Sequence, residues 1–128
     1  MMKAAILALV LGLSGANAPS PKQEATLAGQ YCGRLWSSGA LVQVETDITV
    51  ESDGRLSGAY RFADYGGMTP GTLAEAAPVT GLAHTLDWQD KYGSGKLSIT
   101  FKPDYSGFTG TWQDQTGTPN EVWDGVRC

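Results

Sequence analysis

From Leu41 to Val50 apolar and polar residues alternate. Val42, Val44, Ile48 and Val50 share one parity, and Gln43, Glu45, Asp47 and Thr49 share the other. Side chains of an extended chain point alternately to opposite faces, so a period of two marks a half-buried strand. Ser52-Asp53-Gly54 follows, and Asp-Gly tolerates the positive φ of a tight hairpin turn. Arg55 to Phe62 then repeats the pattern, with Leu56, Tyr60 and Phe62 on one face and Arg55, Ser57 and Arg61 on the other. Further strand-like runs span 27–36, 72–76, 84–89, 96–101, 107–113 and 121–128, with Gly, Pro, Asn, Asp and Ser clustered between them. Only Ala74–Ala77 has helix propensity, and Pro78 ends it, so a short helical turn there is the one alternative to strand.

A weak internal repeat runs through these strands. Leu56-Ser57-Gly58-Ala59-Tyr60 matches Phe108-Thr109-Gly110-Thr111-Trp112 as apolar, hydroxyl, Gly, any, aromatic. The Gly shares a face with the apolar residue and the aromatic, which lets a strand coil sharply and a neighbouring ring cover its backbone. Eight short sequential strands predict an all-β fold, a small antiparallel up-and-down β-barrel; a two-sheet β-sandwich is the alternative. The expected inner face comprises Val42, Val44, Ile48, Leu56, Tyr60, Phe62, Leu86, Trp88, Leu97, Ile99, Phe101, Phe108, Trp112, Val122 and Val126. A barrel of eight strands also has room for one small ligand.

The repeated runs and the turn before them resemble the avidin and streptavidin family. Asp53-Gly54-Arg55-Leu56-Ser57-Gly58-Ala59-Tyr60 is similar to the turn and third strand of that eight-stranded barrel. Phe108-Thr109-Gly110-Thr111-Trp112 resembles a later strand, and Trp123 the Trp near the family's end. The resemblance covers about a quarter of the chain after its leader. It implies a meander barrel, with Tyr60 matching a ligand-binding tyrosine and Trp88 and Trp123 as candidate ring walls. Around the first hairpin the family's ligand set includes an Asn and a Ser. Here Arg34-Leu35-Trp36-Ser37-Ser38-Gly39 offers a Ser and no Asn, so biotin binding does not carry over.

The beginning of the chain reads differently. Lys3 precedes an apolar run from Ala4 to Leu13, and Ser14-Gly15-Ala16-Asn17-Ala18 offers small residues for cleavage. That is the three-part pattern of a secretory signal peptide, cut after Ala16 or Ala18. The run is too short for a membrane span. The expected organisation is a signal peptide at 1–18, a flexible leader at 19–26 and one domain at 27–128. Export favours an oxidising compartment, secreted or periplasmic, in which Cys32 and Cys128, the chain's 2 cysteines, pair as a disulfide. Pairing requires the first and last strands to be neighbours, as closure of a meander demands.

Composition narrows the chemistry. The 128 residues carry 9 basic and 13 acidic side chains, a net charge of -4, so no basic stripe exists for nucleic acid. Loss of Lys3 with the leader makes the remainder more acidic still. The chain has 1 His, His84, and lacks the G-x-S-x-G and P-loop patterns. Gly93-Ser94-Gly95-Lys96 therefore reads as a hairpin turn. His84 shares parity with Leu86 and Trp88 and is expected at a barrel rim. The carboxylates Glu45, Asp47, Asp87, Asp90 and Asp104 are expected mainly on the solvent face. Asp124 shares parity with Val122 and Val126, which makes it the candidate polar group inside a pocket. No catalytic residue, cofactor or metal site is expected.

The reading is a non-catalytic binding protein for a small molecule or glycan. Tyr60, Trp88 and Trp112 are expected to line the interior. Tyr65 in a Tyr65–Gly71 loop over one mouth, Tyr92 in a turn, and Asp124 complete the candidate site. The alternative is a protein-interaction module, such as an inhibitor of a secreted or envelope enzyme, with the loop aromatics at its interface.

Overall fold

The computed structural model describes residues 26–128, so the expected signal peptide and all of the expected leader but Thr26 lie outside the described residues. The chain forms strands β1 (Gly29–Ser37), β2 (Ala40–Val50), β3 (Leu56–Asp64), β4 (Gly67–Ala74), β5 (Ala83–Asp90), β6 (Gly93–Phe101), β7 (Gly107–Asp114) and β8 (Glu121–Arg127). Each pairs antiparallel with the next, and β8 pairs with β1 to close the barrel. There is no helix among the described residues, and Glu75–Leu82 is irregular chain.

The hairpins explain the meander. Ser38-Gly39 and Tyr65-Gly66 are two-residue connections in which both residues have positive φ. That geometry matches the right-handed twist of the strands it joins. The structure corrects the loop expected at Tyr65–Gly71, because β4 already begins at Gly67. Gly and Pro made this segment read as a loop. Pro70 is tolerated because β4 runs past the end of β5, whose last residue, Asp90, pairs with Gly71. Likewise Gly93-Ser94-Gly95-Lys96 opens β6, and the turn lies before it at Lys91-Tyr92.

Closure sets Tyr31 opposite Arg127 and Leu35 opposite Trp123. Beside this seam Cys32 and Cys128 form a disulfide, with Cα atoms 5.2 Å apart. Pairing with β1 also fixes the parity of β8. Trp123 and Gly125 are buried, whereas Val126 is exposed and Val122 only half-buried. The expected inward placement of Val122, Asp124 and Val126 is thus inverted. Val50 is also exposed, at the end of β2, and Thr46 is buried between Val44 and Ile48.

The barrel is filled at one end. The rings of Tyr31, Phe101 and Phe108 pack with centroids 5.3 to 5.9 Å apart. Arg127 lies over the Tyr31 ring and donates to the carbonyls of Thr26, Ala28 and Tyr105, tying the entering chain across this floor. The β1–β2, β3–β4, β5–β6 and β7–β8 connections surround the opposite end, the mouth.

Candidate functional site

At the mouth, inward positions of five strands converge on a cavity of about 260 Å³. β3 contributes Tyr60 and Phe62, β5 Trp88 and Asp90, β7 Trp112, β8 Trp123, and β1 Leu35 and Ser37. Ser38 and Tyr92 reach it from the hairpins. The local sequence accounts for the placement of Tyr60. Gly71 stands opposite it in the ladder, and a Cβ built there would lie 2.1 Å from Tyr60 Cζ. The phenol ring therefore rests on bare backbone, and glycine at 71 is a condition of its position.

Apart from the Ser37 and Ser38 hydroxyls, the side-chain donors of the site are already committed. Tyr60 Oη donates to Asp90 Oδ2 at 2.6 Å, and the Tyr92 backbone N–H donates to Asp90 Oδ1 at 2.8 Å. Trp88 Nε1 donates to the carbonyl of Gln113 at 3.0 Å and Trp112 Nε1 to that of Trp36 at 3.0 Å. Trp123 Nε1 donates to Thr46 Oγ1 at 3.1 Å, which explains the buried threonine. Tyr92 Oη donates to Asp64 on the rim. Burial first, and then the hydrogen bond to Asp90, hold the Tyr60 phenol far above its ordinary pKa. The hydrogen bond to Asp64 pushes Tyr92 up to about 12. Both phenols are neutral donors at physiological pH.

The rings stand as adjoining walls. Trp88 and Trp112 meet at 89° with centroids 5.6 Å apart, and Tyr60 and Trp123 at 71° and 4.8 Å. Asp90 is the carboxylate in this lining, and no Lys, Arg or His accompanies it. Lys91 is a cation on the rim; its Nζ sits 3.9 Å from Asp64 and 5.2 Å from the Tyr92 ring centroid.

Of the residues singled out from sequence, Tyr60, Trp88, Trp112 and Tyr92 come together here. Tyr65 does not: it is 88% exposed at the β3–β4 turn and outside the cavity lining. Asp124 is also outside it, on the outer wall, where its Oδ1 accepts the Gly110 N–H at 3.1 Å. Trp123, which only the avidin resemblance offered as a ring wall, also lines the cavity, and Asp90 takes a place that the reading of the residues had not assigned it. The signal for Asp90 was its parity with Leu86 and Trp88. For Trp123 it was pairing with Leu35, which the hydropathy of β8 alone does not reveal.

His84 lies at the far end of β5 from Asp90, about 20 Å along the strand. It is buried at the floor rather than set on a rim. Its Nδ1 is 2.6 Å from Glu75 Oε2 and its Nε2 3.0 Å from the Gly81 carbonyl, while Glu75 Oε1 accepts the Leu56 N–H. This buried cluster ties the Glu75–Leu82 connection to the barrel. Among the described residues no group of three or more His, Cys, Asp or Glu is placed to hold a metal. A wider groove of about 730 Å³ crosses the outer wall near Thr72, Asp87, Gln89 and Gln113. Its Asp87–Lys96 ion pair is solvent-exposed.

Comparison of the chain with protein-family models, with curated proteins and with solved structures returns no match.

Proposed function

We propose that this protein is an exported, non-catalytic binding protein that takes a small molecule into the mouth of its barrel. One observation carries the reading: six aromatic side chains and one carboxylate converge on a cavity while the opposite end of the barrel is packed solid. Concave, mainly apolar sites with a few convergent polar groups are the usual form of ligand sites. At about 260 Å³ the cavity is a little below the usual range of about 300–1,000 Å³, which suits a sugar ring or another small compact ligand. The leader pattern and the disulfide support a secreted or periplasmic location.

The test is native mass spectrometry of the mature protein purified from its own host without refolding, followed by titration of the identified ligand against Trp fluorescence. A retained small mass whose affinity falls in Trp88→Ala, with the barrel still folded, is the expected result. Full affinity in folded Trp88→Ala refutes the lining.

A second reading is favoured by the rim, where Tyr65, Met68 and Tyr92 are all exposed around the β3–β4 and β5–β6 hairpins. Aromatic and methionine side chains at a convex edge are the composition of a protein interface. In this reading the barrel docks a secreted or envelope protein, as an inhibitor does. A stoichiometric complex from envelope extract that is lost in Tyr65→Ala supports it, and a folded bait that captures nothing refutes it.

A further inference from the structure

We infer that the mouth cavity selects a small organic cation, with a quaternary or protonated amine as the group it recognises. The inference rests on the small-ligand reading above and assigns the class of ligand. Three features of the cavity agree.

The first is the supply of hydrogen-bond donors. Trp88, Trp112 and Trp123 all turn their indole N–H groups into the barrel wall, to Gln113, Trp36 and Thr46. The Tyr60 and Tyr92 hydroxyl protons go to Asp90 and Asp64. Only the Ser37 and Ser38 hydroxyls remain as side-chain donors in the lining. An anion or a carbonyl-rich ligand would leave its acceptors unpaired in a largely apolar site, which is unfavourable. The second is the carboxylate. Asp90 accepts two hydrogen bonds, and an ionised carboxylate has about four acceptor positions, so it retains capacity for a ligand's donor or positive charge. The third is the π surface. With their N–H edges tied into the wall, the perpendicular Trp88 and Trp112 rings and the Tyr60 and Phe62 rings offer the cavity aromatic carbon. Ring faces attract cations within about 6 Å of their centroids, and desolvation strengthens that attraction. Lys91 already holds its ammonium at such a distance over the rim ring of Tyr92. The acidic balance of the chain, 13 acidic against 9 basic residues, adds an attractive field for a cation approaching the mouth.

The experiment compares choline with its uncharged carbon isostere, in which a tert-butyl group replaces trimethylammonium. Both are titrated into the mature, disulfide-intact protein, with binding read by Trp fluorescence and calorimetry. We expect the cation to bind at least about tenfold more tightly than the isostere. We also expect Asp90→Asn, which keeps the shape of the side chain, to remove most of that preference. Equal or tighter binding of the isostere overturns the cation assignment and leaves the small-ligand reading standing. Binding of a neutral monosaccharide with no response to choline does the same. No response to any of the three in a folded barrel overturns the cation assignment; if native mass spectrometry also finds no retained molecule, the small-ligand reading fails with it. Capture on phosphatidylcholine vesicles without a response to free choline overturns the assignment to a small soluble cation.

Discussion

Replacing both Cys32 and Cys128 by Ser should leave the barrel standing and make it much easier to unfold. The bridge joins residues 96 apart in sequence. Opening a loop of that size returns about 4.7 kcal/mol of chain entropy to the denatured state. Little is lost from the native state, because Cys128 is exposed and Cys32 only half-buried. The seam also keeps its own backbone ladder, with Tyr31–Leu35 on one side and Trp123–Arg127 on the other. For a domain of this length each kcal/mol moves Tm by about 4–8 °C, so a fall of about 20 °C or more is expected. Native disulfides removed from small domains cost about 2–5 kcal/mol, which sets the lower end near 10 °C. The assay is thermal and urea unfolding of the double variant beside the parent, followed by far-UV circular dichroism and Trp emission. The urea slope should rise, since the unlinked denatured chain exposes more surface. A Tm within about 5 °C of the parent, with matching native spectra, refutes the argument that the bridge acts on the unfolded chain.

Three further outcomes follow from the site and its supports. Gly71→Ala should lower stability by about 1–3 kcal/mol, and urea unfolding checks it, because its Cβ must push the Tyr60 ring off its seat. The same variant should shift Trp emission through the neighbouring Trp123. Tyr60 has its folded pKa raised above the ordinary value of 10.0 by burial and then by Asp90. Its contribution is therefore complete below about pH 10 and lost above it as the unfolded chain ionises first. Tm measured from pH 8 to 11 should fall at the alkaline end, less steeply in Tyr60→Phe; parallel curves for the two proteins count against this. Trp123→Phe should cost about 1–3 kcal/mol, measured by the same unfolding, because it strands the buried Thr46 hydroxyl. Adding Thr46→Val should recover part of that loss, and a strictly additive double variant refutes the coupling.

The architecture was legible where hydropathy and geometry speak in the same terms. Val42, Val44 and Ile48 alternate with polar neighbours, Asp53-Gly54 marks its own turn, and two cysteines at the ends of the domain call for adjacent terminal strands. The site was half legible. Tyr60, Trp88 and Trp112 stood out by size and parity, but Asp90 looked like one more solvent carboxylate at a strand end. Its inward direction follows from the parity of β5, and its partner Tyr60 lies on a different strand 30 residues away. β8 was misread because Val122, Asp124 and Val126 form a plausible inner triplet, whereas pairing with β1 turns Trp123 inward. Thr46 shares the parity of Val44 and Ile48, and the burial of its hydroxyl makes sense only once the Trp123 N–H is seen to need an acceptor. In each case the missing information was a contact between strands distant in sequence.

The β4–β5 ladder is short, running from Gly71–Ala74 on one strand to Asp87–Asp90 on the other. A closed barrel offers no strand edge to a passing chain, and this junction is where an edge can be created. Amide exchange should therefore begin here, and local opening would release β4 and β5 while the disulfide holds the terminal strands together. The open form would be one curled sheet with two fresh edges, one of them the Gly- and Pro-containing β4, a poor template for pairing. Of the two edges that opening here would expose, β4 is thus ill suited to recruiting neighbours, and β5 is the one through which pairing would start.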